Sequence, residues 1–161
     1  MKKITQEELN VILESHKLWV ETSGKEGKIA NLQNLDLSSL DFSNSNLQSA
    51  NCKNANFKNA HLDYADLSSA NLENANFSDA NCRHTRFEFS FLYDANFSTS
   101  DCERACFMYA NFRIEKSSNR QTSNFDKSNC KNANFSNANF DFVNFSDANC
   151  ENANFSYKGE K

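Results

Sequence analysis

Proline is absent from this 161-residue chain, and there are only three glycines, three histidines and one tryptophan. Without Gly-rich stretches there is no phosphate-cradling loop, and without proline there is no stiff Pro-rich linker. Apolar runs extend over a few residues only, so no segment is long enough to span a bilayer as a helix. The amino terminus, Met1-Lys2-Lys3-Ile4-Thr5-Gln6-Glu7-Glu8, turns acidic where a signal peptide would become apolar. A cytoplasmic protein is the expectation, with its six cysteines reduced. The formal net charge of −4 is too mild for a basic nucleic-acid binder, so no direct nucleic-acid contact and no membrane contact are expected.

What the chain does have is a period. From Leu32 to Phe112 a large residue recurs at every fifth position, and the series resumes at Phe125 and runs to Phe155. Of these 24 centres, 12 are Phe, 7 are Leu and 5 are Cys. Two residues before 20 of the 24 centres stands a small residue, Ala in 15 cases and Ser in 5, and the residue between is Asn in 16 and Asp in 4. A period of five fits neither a helix nor a long strand. Alternation within each unit does fit a short extended piece, with the small residue and the centre inward and the Asn outward. The remaining two residues suit a turn. No unit buries its apolar face alone, so successive turns of chain must stack.

Units such as "ADLSS" at 65–69 and "ANLEN" at 70–74 resemble those of the pentapeptide-repeat family, over residues 30–155. The resemblance implies an all-β solenoid, a right-handed quadrilateral parallel β-helix with four faces and 20 residues per coil. The 13-residue step from Phe112 to Phe125 then contains an insertion. An insertion of three residues would make Ser117 a centre, a poor core residue; one of eight leaves coherent columns. One column reads Leu37, Phe57, Phe77, Phe97, Phe125, Phe145, and another Phe42, Leu62, Cys82, Cys102, Cys130, Cys150. About six coils result, roughly 30 Å of stack at about 4.8 Å each. Outward Asn residues can form amide ladders between coils. The organisation expected is a capping helix and linker over 1–29, a solenoid over 30–157 interrupted by a loop at 113–122, and a tail at 158–161.

Residues 5–22 read as a helix with a Thr5–Glu8 capping box, Leu9, Ile12, Leu13, His16 and Val20 on one face and Trp19 beside it. Its expected task is to cover the first coil. Nothing comparable follows Phe155, so the last coil's open edge suggests an end-to-end homodimer through the C-terminal coil.

Chemistry is sparse. The three histidines share no column, so no catalytic or metal site is expected; the chain reads as a non-enzyme without cofactors. Column cysteines serve as small hydrophobes, since a straight column cannot surround an ion tetrahedrally. Cys106 replaces an outward Asn and is expected to be an exposed, reactive thiol. Aromatics off the core register are more informative. Phe89 and Tyr109, 20 residues apart, should stack on the outside, with Phe91, Tyr93 and Met108 close by. The adjacent insertion carries Arg113, Lys116 and Arg120 and a net charge of +2, whereas residues 30–155 together carry −5. These eight residues form the expected contact site for an unknown protein partner, unless the loop folds back over the aromatics. The function expected is that of a rigid interaction scaffold. The alternative is a mimic of duplex DNA that binds DNA gyrase, as the family's quinolone-resistance members do; the positive loop, mild charge and missing C-terminal helix depart from that pattern.

Overall fold

The structure is a computed structural model and describes residues 1–113, 122–140 and 143–158. Between residues 30 and 155 the backbone pairs with itself through single parallel bridges at the outward position of each unit, such as Asn56 with Asn76 and Asn76 with Asn96. The partner is always 20 residues away, except across the insertion. There Asn96 pairs with Asn124 and Asp101 with Asn129, a step of 28 that keeps each wall in register. Adjacent coils exchange bonds in both directions: Phe77 N–H donates to Asn96 O at 2.6 Å, and Asn96 N–H donates back to Ala75 O at 2.9 Å.

The corners explain the polar vocabulary. The second residue after each described centre, from Asn34 to Asn152, has φ between 53° and 62°. The amide that follows closes the turn, as where Ala75 N–H donates to Leu72 O at 3.0 Å. This left-handed conformation is one that Asn and Asp tolerate best among side-chain-bearing residues. The outward Asn has two tasks. Asn76 Oδ1 accepts from the corner amide of Ser78 at 3.1 Å, and its Nδ2 donates to Asn56 Oδ1 on the preceding coil at 3.0 Å. On that wall the ladder runs unbroken from Asn144 through Asn124, Asn96, Asn76 and Asn56 to Asp36. Asp can end it at the first coil because only an acceptor is needed there.

Inside, two opposite walls carry stacked phenylalanines. Phe57, Phe77, Phe97 and Phe125 stack at 4.6–4.7 Å between centroids, and Phe87, Phe107 and Phe135 at 4.7–4.8 Å. The two stacks meet edge to face, Phe87 against Phe97 at 5.4 Å and 89°, the arrangement that the ring quadrupoles favour. Once they fill the square, the other two walls hold mostly Leu and Cys. Cys82, Cys102 and Cys130 are completely buried. Phe145 and Cys150 in the expected columns are only partly buried, because among the described residues the last coil packs on a neighbour on one side alone.

At the other end, strand β1 (Lys2–Lys3) pairs in parallel with β2 (Leu35–Asp36), and helix α1 (Gln6–Glu21) lies across the coil opening. Thr5 is the N-cap, and both halves of its capping box with Glu8 are formed. Leu9 and His16 are buried against the coil; Ile12, Leu13, Trp19 and Val20 are partly buried. Side chains here replace the backbone of a missing coil. The Gln6 amide forms a reciprocal pair with Asp41, Nε2 to O and N–H to Oε1, each at 2.9 Å. His16 Nδ1 accepts from Ala30 N–H at 3.0 Å. The chain returns beneath the helix at Gly27 (φ +72°), where a Cβ would lie 2.1 Å from Ser15 O; only glycine fits.

Candidate functional site

Four outward positions depart from Asn or Asp: His61, Arg86, Phe91 and Cys106. Three of them lie on two adjacent walls and flank one corner. Arg86 bridges Asp66 and Cys106 in the backbone ladder, and Phe91 bridges Asn71 and Asn111. The corner between these walls carries Phe89 and Tyr109, stacked at 5.0 Å and nearly parallel at 4°. Both have left-handed backbone, φ 58°, which for a bulky residue costs on the order of 1 kcal/mol or more. Phe89 is 56% exposed, Phe91 44% and Tyr109 48%. Phe91 and Tyr93 are tilted neighbours at 6.1 Å, and Tyr93 Oη accepts from Asn111 Nδ2 at 3.2 Å. Met108 is half-buried, its carbonyl accepting from Phe89 N–H. With Phe at position 91, no amide can bridge Asn71 and Asn111, so this corner forfeits ladder bonds that the wall around Asn76 makes in full.

Charges frame the aromatics. Arg86 reaches Glu88 at 2.6 Å and Asp66 at 3.0 Å, and its hydrogen bond to Glu88 raises its pKa further. Burial and the neighbouring Glu73 raise the Asp94 carboxyl. From Tyr109 the surface continues into an open hollow of about 880 Å³ reaching the last coil, lined in part by Arg113, Phe140, Phe155 and Tyr157. Lys116 and Arg120 lie outside the described residues, as does a fold-back of the loop onto the aromatics.

Cys106 requires a correction. It is half-buried rather than exposed, and burial pushes its thiol up despite the nearby Arg86 guanidinium; a raised thiol is a poor nucleophile at neutral pH. The reason is the slot itself, which lies half-buried between the coils on either side: Asn76, Asn96 and Asn134 in the same outward register are half-buried too. His84 stacks on Tyr64 at 4.5 Å across the adjoining coils, a pair that sequence reading passed over although the two are 20 residues apart. Among the described residues no group of three or more His, Cys, Asp or Glu side chains could enclose a metal ion, and no helix is long and apolar enough to cross a membrane.

No curated protein matches the sequence. Among solved structures, the chain is similar to a pentapeptide repeat protein of the Arabidopsis thaliana thylakoid lumen, at 23% identity over 71% of each chain with a TM-score of 0.47. Rfr23, a pentapeptide repeat protein of the cyanobacterium Cyanothece 51142, is 22% identical over 80% of this chain and 84% of its own, TM-score 0.40. The plasmid-mediated fluoroquinolone resistance protein QnrB1 is 17% identical over 76% of this chain and 78% of its own, TM-score 0.39. The family model for pentapeptide repeats matches in eight copies across residues 30–113 and 123–156, the same residues whose bridges and corners repeat above, and the chain belongs to the pentapeptide-repeat family.

Proposed function

We propose that the protein is a non-catalytic interaction scaffold that docks a protein partner on the corner formed by Phe89, Phe91, Tyr93 and Tyr109, with Met108 beneath it and Arg113 at its edge. One observation carries this reading. Large aromatics occupy left-handed corners and an amide slot at the expense of local stability, and stability forfeited at a surface points to a use for that surface. Lys116 and Arg120, next in sequence, would supply positive charge at the rim.

The reading separates stability from binding. Phe89→Asn places a residue suited to φ 58° at the corner, so it should leave stability unchanged or raise it by about 0.5–1 kcal/mol. Combined with Tyr109→Asn, it should abolish partner retention in affinity capture from lysate. Capture of the same partner by the double variant would remove this corner from the proposal.

A DNA mimic requires a continuous acidic face. The corner after the Cys column instead alternates: Asp63, Arg83, Glu103, Lys131 and Glu151 follow one another, with Arg83–Glu103 at 2.9 Å and Lys131–Glu151 at 2.8 Å. This alternation favours the scaffold reading over the gyrase-binding one.

The last coil supports a second contact. The amides of Phe145, Cys150 and Phe155 would donate to a following coil, and they have no backbone acceptor among the described residues. We propose an end-to-end homodimer that pairs this edge with its copy. Sedimentation velocity should give a dimer at micromolar concentration; a monomer at millimolar concentration would count against it.

A further inference from the structure

We propose that Cys130 and Cys150 form a two-coordinate site for a soft monovalent d10 cation, copper(I) being the physiological ion of that class. The two thiols belong to successive coils of one wall, held in register by the bridge between Asn129 and Asn149. Both pack on the core, Cys130 completely buried and Cys150 partly buried against it. On the adjacent walls the rings of successive coils stack with centroids 5.0 Å apart at Phe125–Phe145 and 4.9 Å at Phe135–Phe155, in keeping with a repeat of about 4.8 Å per coil. Two metal–sulfur bonds of about 2.3 Å laid end to end span about 4.6 Å. One ion therefore fits between two thiols stacked this way after a shift of a few tenths of an ångström, which the partly buried coil of Cys150 can make.

Geometry selects the ion. Zinc demands four ligands disposed tetrahedrally, and a straight column cannot provide them. Copper(I) and silver(I) prefer thiolate sulfur and accept two ligands in a line. The sequence argument against a metal in this column holds for tetrahedral ions and does not reach linear ones.

The surroundings distinguish this pair from the thiols deeper in the column. Cys102 and Cys82 are sealed by coils on both sides, whereas Cys150 is partly exposed, with no further coil over it among the described residues. An ion can enter there, and water can solvate the net negative charge of a bis-thiolate complex. The Ser128 hydroxyl lies 3.2 Å from Cys130 Sγ, placed to donate to the thiolate once the thiol proton leaves. At neutral pH an ordinary thiol keeps its proton. Binding is then an exchange: two S–H protons leave as two S–metal bonds form, with no change in oxidation state. Affinity should rise with pH.

The test uses the full chain, reduced with a non-thiol phosphine under anaerobic conditions. Copper(I) is added against a chromogenic copper(I) chelator, and stoichiometry is read by native mass spectrometry. One copper(I) per chain should be retained, and the copper X-ray absorption edge should show two sulfur scatterers. Cys150→Ser and Cys130→Ser should each weaken retention by at least about tenfold, while Cys52→Ser and Cys106→Ser leave it unchanged. Cys150→Ser lies on the uncovered coil, so its circular dichroism should match that of the unsubstituted protein and keep the test valid even where Cys130→Ser fails to fold. Retention unaffected by Cys150→Ser, equal loss in Cys106→Ser, a third sulfur at the metal, or comparable retention of zinc would each overturn the proposal. The site is independent of the partner-docking corner but shares its edge with the end-to-end dimer, so it belongs to the monomer, and bound copper(I) should lower the dimer fraction.

Discussion

Phe97→Ala is expected to destabilise the protein by about 3–5 kcal/mol, a large fraction of the roughly 5–15 kcal/mol that holds a typical domain folded. The ring is completely buried. It stacks on Phe77 at 4.6 Å and Phe125 at 4.7 Å, and meets Phe87 and Phe107 edge-on at 5.4 and 5.5 Å. Truncation leaves four aromatic faces or edges without a partner, and the two-bond corners on either side hold the wall too stiffly for the gap to close. Phe155→Ala is the matched control. It occupies the same kind of slot, but 43% of it is exposed and its partners lie on one side, so its loss should cost about 1–2 kcal/mol. Urea denaturation of both variants measures the contrast. Equal losses would mean that the stacks contribute no more in the middle than at the end, and that the solenoid does not unfold as one cooperative unit.

That contrast marks how much the linear sequence can reveal. Periodicity of five is visible because each centre faces an almost identical environment, so Leu32 and Phe135 obey one rule though 103 residues apart. The eight-residue insertion is legible for the same reason: in-register stacking rewards only one phase, and Cys102 with Cys130 shares a wall only in that phase. The Asn amide ladder follows from the same repetition. Its polarity does not, since the reason Asp36 can close it depends on which coil is first.

Less legible are groups that act once. Gln6 mimics a strand with its side-chain amide, and His16 receives the Ala30 amide; helical spacing placed His16 on the buried face but could not show that it stands in for backbone. The same limit applies to the corner aromatics. A spacing of 20 brings Phe89 and Tyr109 onto adjacent coils, but only the backbone shows that both are held at φ 58°. Cys106 illustrates the opposite error: an outward register does not guarantee exposure, because between stacked coils even the longer Asn side chains of that register are half-buried.

Acidification should release the cap through His16. Its Nδ1 accepts from Ala30 N–H at 3.0 Å, so the folded cap requires the neutral ring with its proton on Nε2. Burial lowers its pKa from the ordinary histidine value. The sign follows directly. Above about pH 6.5 both folded and unfolded chains hold the ring neutral and the cap keeps its full stability. Below that, the unfolded chain binds a proton that the folded chain refuses, and stability falls by up to about 1.4 kcal/mol per pH unit until the depressed folded pKa is reached. The reporter is built in, because Trp19, the single tryptophan, stacks on His16 at 5.6 Å and 12°. Urea midpoints followed by Trp19 fluorescence at pH 7.5, 6.5, 6.0 and 5.5, about the unperturbed histidine pKa, should decline only below the second value. The Asp and Glu side chains ordinarily titrate lower. His16→Gln, whose Oε1 can still accept from Ala30, should flatten that decline; an undiminished slope in this variant would assign the acid sensitivity to groups outside the cap.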